Sequence, residues 1–78
     1  MWERIDDVFS DEILTISTKD KKYNFNIGDT ISITMIDGFI VSGRIEQILG
    51  DSIQINSNNT LMKYYFEKFA YIKNIVIS

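Results

Sequence analysis

The stretch MIDGFIVSGRI, residues 35–45, decides which fold the chain is expected to adopt. Asp37-Gly38 stands between two apolar runs, and an Asp-Gly pair in that setting is among the strongest sequence signals for a β-hairpin. A lone glycine, Gly43, follows in the second run, where the lack of a side chain would let a strand bend sharply. The stretch therefore predicts a hairpin with a bent second strand.

The register of this hairpin depends on the length of its loop. A two-residue loop would place Met35 beside Ile40 and turn Val41 outward, whereas a longer loop would place Met35 beside Val41. We favour the longer loop, because Gly43 and Ile45 then share the inner face with Val41. In that arrangement Gly43 lies on the concave side of the bend, where a side chain would be in the way.

Outward from the hairpin, short runs of alternating apolar and polar residues predict further β-strands. The predicted strands cover residues 13–17, 23–27, 30–36, 39–49, 52–56, 61–66 and 71–77, with polar turns between them and a 3₁₀ turn at 67–70. Tyr23, Phe25 and Ile27 are expected to share one face of their strand. Side chains expected to face inward are Ile31, Ile33, Met35, Ile53 and Ile55. The strands are short and closely spaced, which favours antiparallel pairing between sequence neighbours.

Residues 1–10 show a different spacing. Trp2, Ile5 and Phe9, with Val8 beside them, recur at intervals typical of one face of a helix. Acidic residues in the first turns suit a helix N-terminus. A short N-terminal helix is therefore predicted.

Length and composition limit the architecture and the chemistry. The 78 residues predict a single domain, 1–78, with the helix at 1–10 and a β-barrel at 12–77. There is no cysteine and no histidine, so disulfides and Cys/His zinc sites are excluded, and no catalytic triad or phosphate loop is present. We predict no catalytic site and no cofactor.

The charge pattern and the absence of long apolar runs bear on location and partners. Neither a basic signal sequence nor a run of about 20 apolar residues occurs, which predicts a cytoplasmic protein without a membrane partner. The net charge is −3, and the acidic excess lies in the first twelve residues. Because the remainder is close to neutral, the charge argues only mildly against nucleic acid.

These features together predict a mainly β fold, namely a small antiparallel SH3-like or Sm-like barrel of five to six strands. Closing a sheet into a barrel removes its edges, and exposed edges would be hazardous in a chain so rich in isoleucine.

The hairpin and its flanks resemble the first signature of the Sm-like proteins, which include Sm, LSm and bacterial Hfq. The resemblance is carried by Ile31, Ile33, Met35, Asp37, Gly38, Phe39, Val41, Gly43 and Ile45. It implies an Sm-like barrel preceded by a helix, and a nucleic-acid contact at Ser52. The second Sm signature is not matched, since Lys68-Phe69-Ala70 stands where the family has Arg-Gly or Tyr-Lys-His.

The last third of the chain interleaves lysines with aromatic residues and predicts an interaction surface. In the segment 61–66, apolar residues occupy both faces of the predicted strand, so some must face outward. The N-terminal helix could cover them, or a partner could. The surface would comprise Lys63, Tyr64, Tyr65, Phe66, Lys68, Phe69 and Lys73.

Two functional hypotheses follow. The first is a non-catalytic barrel that acts as a protein-interaction or assembly module, through a protein partner or self-association. The second is an Sm-like domain that binds RNA or other single-stranded nucleic acid through lysines and stacking aromatic rings.

Overall fold

The computed structural model describes residues 1–73, and most of them belong to one antiparallel sheet of eight strands. The strands are β1 Trp2–Asp11, β2 Ile13–Thr18, β3 Lys22–Phe25, β4 Thr30–Met35, β5 Ile40–Ile48, β6 Ser52–Ser57, β7 Thr60–Tyr65 and β8 Phe69–Lys73. A single 3₁₀ turn, η1 Phe66–Lys68, links β7 to β8. The mainly β, antiparallel prediction is confirmed.

The sheet does not close on itself, so the predicted closed barrel is wrong, as is the predicted count of five to six strands. The strand order is β3-β2-β1-β8-β4-β5-β6-β7, which leaves β3 and β7 as edges within the described part of the chain. Strands β1–β3 form one meander and β4–β7 form another, while β8 returns to pair with β4. They join where Trp2–Arg4 pairs with Tyr71–Lys73.

The core lies between these two groups of strands. Leu14 and Ile16 of β2 are fully buried and belong to the same apolar cluster as Ile33 of β4 and Ile53 of β6. A further tie crosses between the groups, because the Ser10 hydroxyl donates a hydrogen bond of 2.6 Å to the Leu49 carbonyl. The open sheet therefore still encloses a common core.

The predicted N-terminal helix is wrong, since these residues form β1. The burial of β1 alternates as in any strand, except that Asp6 and Asp7 are both exposed where the pairing with β2 shifts by one residue. Such a β-bulge adds one residue to the inward spacing. Ile5 and Val8, which both pack on the core, are consequently three residues apart, and this interval imitates helical periodicity.

The hairpin of residues 35–45 has the predicted inner face but a different register. Ile33 pairs with Val41, and the Met35 amide donates to the Phe39 carbonyl at 2.8 Å. Both predicted pairings for Met35 are therefore wrong. The predicted orientation is confirmed, because Val41 and Ile45 are buried whereas Ile40 is 57% exposed.

Gly43 lies where a side chain has no room, as predicted. A Cβ atom at this position would be 2.4 Å from the Asn56 carbonyl oxygen and 2.6 Å from Cγ2 of Ile55. Arg44 pairs with Asn56 in the adjacent strand β6, so the obstruction is a fixed part of the sheet. Two residues later β5 carries its own bulge, between Ile45 and Gln47.

The other predicted strands are present with small changes at their ends. Strand β3 ends at Phe25, so Ile27 lies outside the strand, is 59% exposed and does not share the half-buried face of Tyr23 and Phe25 as predicted. The 3₁₀ turn begins one residue earlier than predicted. The last predicted strand is confirmed up to Lys73, and its residues 74–77 lie outside the described part of the chain.

Candidate interaction surfaces

The residues of the predicted lysine-aromatic surface do not lie together. Phe69 belongs to the core, and Tyr64 and Phe66 are half-buried against it. Lys63 and Tyr65 are exposed on β7, while Lys73 lies on β8, on the far side of β4, β5 and β6. Only part of the predicted set can therefore serve as one surface.

Ser52, the residue linked by resemblance to nucleic acid, is fully buried. Its hydroxyl donates to the carboxylate of the neighbouring Asp51 at 3.0 Å. The Ser52 side chain therefore does not reach the surface. A ligand would instead contact Asp51, or Tyr65, which pairs with Ser52 across β6 and β7.

Within residues 1–73, strand β7 presents a free edge of main-chain groups. Its pairing with β6 starts at Ser57 and Thr60, and the register continues to the bond from the Phe66 amide to the Asp51 carbonyl, 2.9 Å long. Because antiparallel ladders use every second residue, the even-numbered residues of β7 bond to β6. The N–H and C=O groups of Leu61, Lys63 and Tyr65 therefore point away from the sheet.

The side chains of β7 are more apolar and more exposed than those of an ordinary edge. Leu61, Met62 and Tyr65 are 54%, 51% and 45% exposed. Lys63 is the one charged residue of this strand, and its ammonium lies 5.9 Å from the centre of the Tyr65 ring, within cation–π range. Edge strands usually carry charges, prolines or bulges that prevent pairing, and Lys63 is the only such feature of β7.

A groove adjoins the inner face of β7. It has a volume of about 350 Å³, and it is bounded by the tip of the β4–β5 hairpin, by η1 and by Tyr64 of β7. Ile36 and Phe39 at the hairpin tip are each 62% exposed. The groove residues are Met35, Ile36, Asp37, Phe39, Tyr64 and Lys68. Among the described residues, an apolar groove therefore lies beside a strand whose outer edge is unpaired.

The opposite edge of the sheet is better protected. Strand β3 has four residues, against six in β7, and it begins with Lys22. Lys19 and Lys21 precede it in the turn from β2, and both are exposed. Short length and positive charge are the usual defences of an edge against pairing, so β7 is the more receptive of the two.

A second surface with charged and aromatic residues lies where β1 meets β8. Trp2 pairs with Lys73 and Arg4 pairs with Tyr71, and all four side chains are exposed on the outer face of the sheet. Aromatic rings and cations thus alternate along and across the two strands, and we refer to these four residues as the checkerboard. Sequence analysis missed Trp2 and Arg4 because their segment was predicted to be helical.

A polar cluster around Glu3, at the same end of β1, connects the first three strands. The carboxylate of Glu3 accepts hydrogen bonds from the Tyr23 hydroxyl and, at 3.3 Å, from the Thr18 hydroxyl. Burial, followed by the hydrogen bond to Glu3 and the charge of Glu3, raises the pKa of Tyr23 from 10.0 to about 12. The cluster is explained by strand-to-strand cohesion, since each of its members comes from a different strand.

Comparisons with protein-family models, with curated proteins and with solved structures found no match for the chain. Within residues 1–73, no helix is both long and apolar enough to cross a membrane. In the same range no three acidic side chains converge as a metal site would require.

Proposed function

We propose that this protein is a non-catalytic interaction module that binds an extended protein segment along β7. The observation that supports the proposal is the unpaired edge of Leu61, Lys63 and Tyr65 beside an apolar groove. Recognition by strand addition combines these two elements, because main-chain hydrogen bonds supply affinity and side chains at alternate positions supply specificity.

The proposal also includes a likeness between β4–β8 and SH3-like or Sm-like barrels. Five consecutive antiparallel strands, a bent second strand with Gly43, and a 3₁₀ turn before the last strand support it. The Sm-like resemblance implies ring assembly in which the fourth strand of one subunit pairs with the fifth of the next. In this chain β1 already pairs with β8, its counterpart of the fifth strand, so a separate partner for β7 is the better-supported arrangement.

A selection from a library of random peptides displayed on phage tests this function. The wild-type protein would serve as bait, and binders that also recognise a Leu61→Pro variant would be discarded. The Leu61 amide points away from the sheet, so proline there removes an edge donor without removing a bond to β6. We expect binders that depend on β7, and a selection that yields none would refute the function.

The second candidate function is binding of single-stranded nucleic acid, and the checkerboard of Trp2, Arg4, Tyr71 and Lys73 favours it. Exposed aromatic rings stack on bases, at about 1–3 kcal/mol per base, and adjacent cations contact phosphates. Neither Lys63 nor Lys68 belongs to this face, so the two candidate functions use different residues.

The nucleic-acid hypothesis has a built-in reporter, since Trp2 is the only tryptophan. Titration with single-stranded oligonucleotides at low salt should quench its fluorescence, and Lys73→Glu should weaken binding while Lys63→Glu should not. Two phosphate contacts would give a slope of about −1.4 in log K against log salt. Unchanged fluorescence throughout the titration would exclude this candidate.

A further inference from the structure

We infer that the segment bound along β7 carries a carboxylate opposite Lys63, with apolar residues directly before and after it. This inference rests on the proposed function and specifies its partner class. Two observations support it. The outer face of β7 carries a lysine whereas its inner face is apolar, and a second copy of β7 at the same edge would place one lysine opposite another.

The direction of each partner side chain follows from the pleat of the sheet. Residues opposite one another in neighbouring strands point to the same face, and successive residues alternate between faces. A residue opposite Lys63 would therefore lie on the outer face, next to the lysine ammonium. Its two neighbours would point inward, beside Met62 and Tyr64.

The inner side is suited to apolar side chains. Met62 pairs with Ile55 and Tyr64 with Ile53, so both are in line with buried isoleucines of the core face. Met62 is nonetheless 51% exposed, because no strand lies beyond β7 within the described residues. Apolar partner residues would cover Met62 and extend toward the groove at Tyr64.

Charge selects the residue at the centre of the partner segment. Lys63 is the one charge on β7, and the groove lining is balanced, since it includes both Lys68 and Asp37. Farther along, Asp51 and Glu67 border the Tyr65 end of the strand. A carboxylate opposite Lys63 would thus meet a cation, whereas one placed near Tyr65 would meet other acids.

A second copy of this chain fits the edge less well. The outward-pointing groups belong to positions 61, 63 and 65, so a symmetric antiparallel pair of β7 strands with every group bonded is centred on Lys63. It would place two lysines directly opposite each other, and like charges in that position are destabilising. A different chain with an acidic centre avoids this repulsion.

Titration with synthetic peptides tests the inference. The probe is a short peptide with a central glutamate between β-branched residues, and the controls carry lysine at the centre or N-methyl groups on alternate amides. We expect the glutamate peptide to bind the wild-type protein about fivefold more tightly than the lysine peptide, which corresponds to about 1 kcal/mol, the upper end of what a cross-strand charge pair contributes. N-methylation should abolish binding, because it blocks main-chain pairing.

Protein variants make the test reciprocal. Lys63→Glu should reverse the preference in favour of the lysine peptide, and the matched variant Lys22→Glu on β3 should leave it unchanged. Equal binding of both peptides to the wild-type protein, or a preference that survives Lys63→Glu, would overturn the inference. In that case, β7-dependent binders of other composition from the phage selection would still uphold the proposed function.

Discussion

Gly43 shows how one missing side chain sets the path of a strand. The close approach of Asn56 leaves no room for a Cβ atom, and the obstructing carbonyl is backbone, which cannot turn aside as a flexible side chain could. The position tolerates no larger residue for steric reasons alone. Its φ does not fall in the left-handed region, so strain of the backbone is not involved.

We therefore expect Gly43→Ala to lower the free energy of unfolding by about 1–3 kcal/mol, the usual range for overpacking. Urea denaturation followed by circular dichroism measures the change. Gly50→Ala is the matched control, because no atom lies within 4 Å of a Cβ built there. Equal stability of the two variants would contradict the close approach of β5 and β6.

The hydroxyl of Tyr23 gives the fold a dependence on alkaline pH. Its pKa is raised to about 12, so the folded state holds this proton more tightly than the unfolded state, where the pKa is 10.0. The resulting stabilisation is complete below pH 10 and is lost as the pH rises toward 12. Tyr23→Phe should remove this part of the pH dependence.

Absorbance of tyrosinate during an alkaline titration measures the effect directly. Tyr23 should ionise late in the wild-type protein, and Glu3→Gln should shift its pKa part of the way back toward 10. The shift should be partial, because burial remains after the carboxylate is gone. Tyr65→Phe is the control and should leave the late phase intact. Loss of the late phase in this variant would contradict its assignment to Tyr23.

At the scale of the strand, prediction from sequence succeeded where the alternation was regular. The inward faces of β4 and β6 were predicted residue by residue, since neither strand contains a bulge and every second side chain is apolar. It failed at β1, where the bulge at Asp6 and Asp7 changes the interval from two to three. A bulge depends on partner strands, and the sequence of one strand does not contain that information.

The candidate surfaces follow the same division. Sequence analysis predicted that some apolar residues of this strand face outward, because one core cannot bury both faces, but it did not decide between Met62, Tyr64 and Phe66 on one face and Leu61 and Tyr65 on the other. The checkerboard of Trp2 and Lys73 was not predicted, since it joins the beginning and the end of the described chain. Pairing between distant strands depends on the whole sheet, and no local pattern reports it.

The turn between β6 and β7 offers a test of a single element. Asn58 and Asn59 have φ values of 52° and 64°, which is the backbone of a type I′ turn. Valine in the left-handed region costs roughly 1–2 kcal/mol, so Asn59→Val should destabilise the protein by about that amount. Thr60→Val, one residue later in β7, should be nearly neutral in the same thermal unfolding measurement, and similar losses in both would argue against this turn.

At the scale of the molecule, the strand order determines which surfaces remain for a partner. Pairing of β1 with β8 uses the edge that would otherwise lie beside Lys73, and among the described strands it leaves the free edges at β3 and β7. Three lysines at or just before β3 disfavour pairing at that edge, whereas Lys63 is the only charged residue on β7. The same residue that would select an acidic partner also discourages the chain from pairing with itself.

The wild-type protein should therefore be a monomer, and removing this one charge should make it associate. We expect Lys63→Val to form dimers or larger species at concentrations where the wild-type protein is monomeric, because an apolar edge strand without a charge is a template for pairing. Light scattering coupled to size exclusion measures the mass of each. Lys68→Val, which removes an equal charge from η1, is the control and should stay monomeric. Association of both variants would mean that the lost net charge, and not the position of Lys63, causes association. If both variants stayed monomeric, a feature of β7 other than Lys63 would prevent self-pairing.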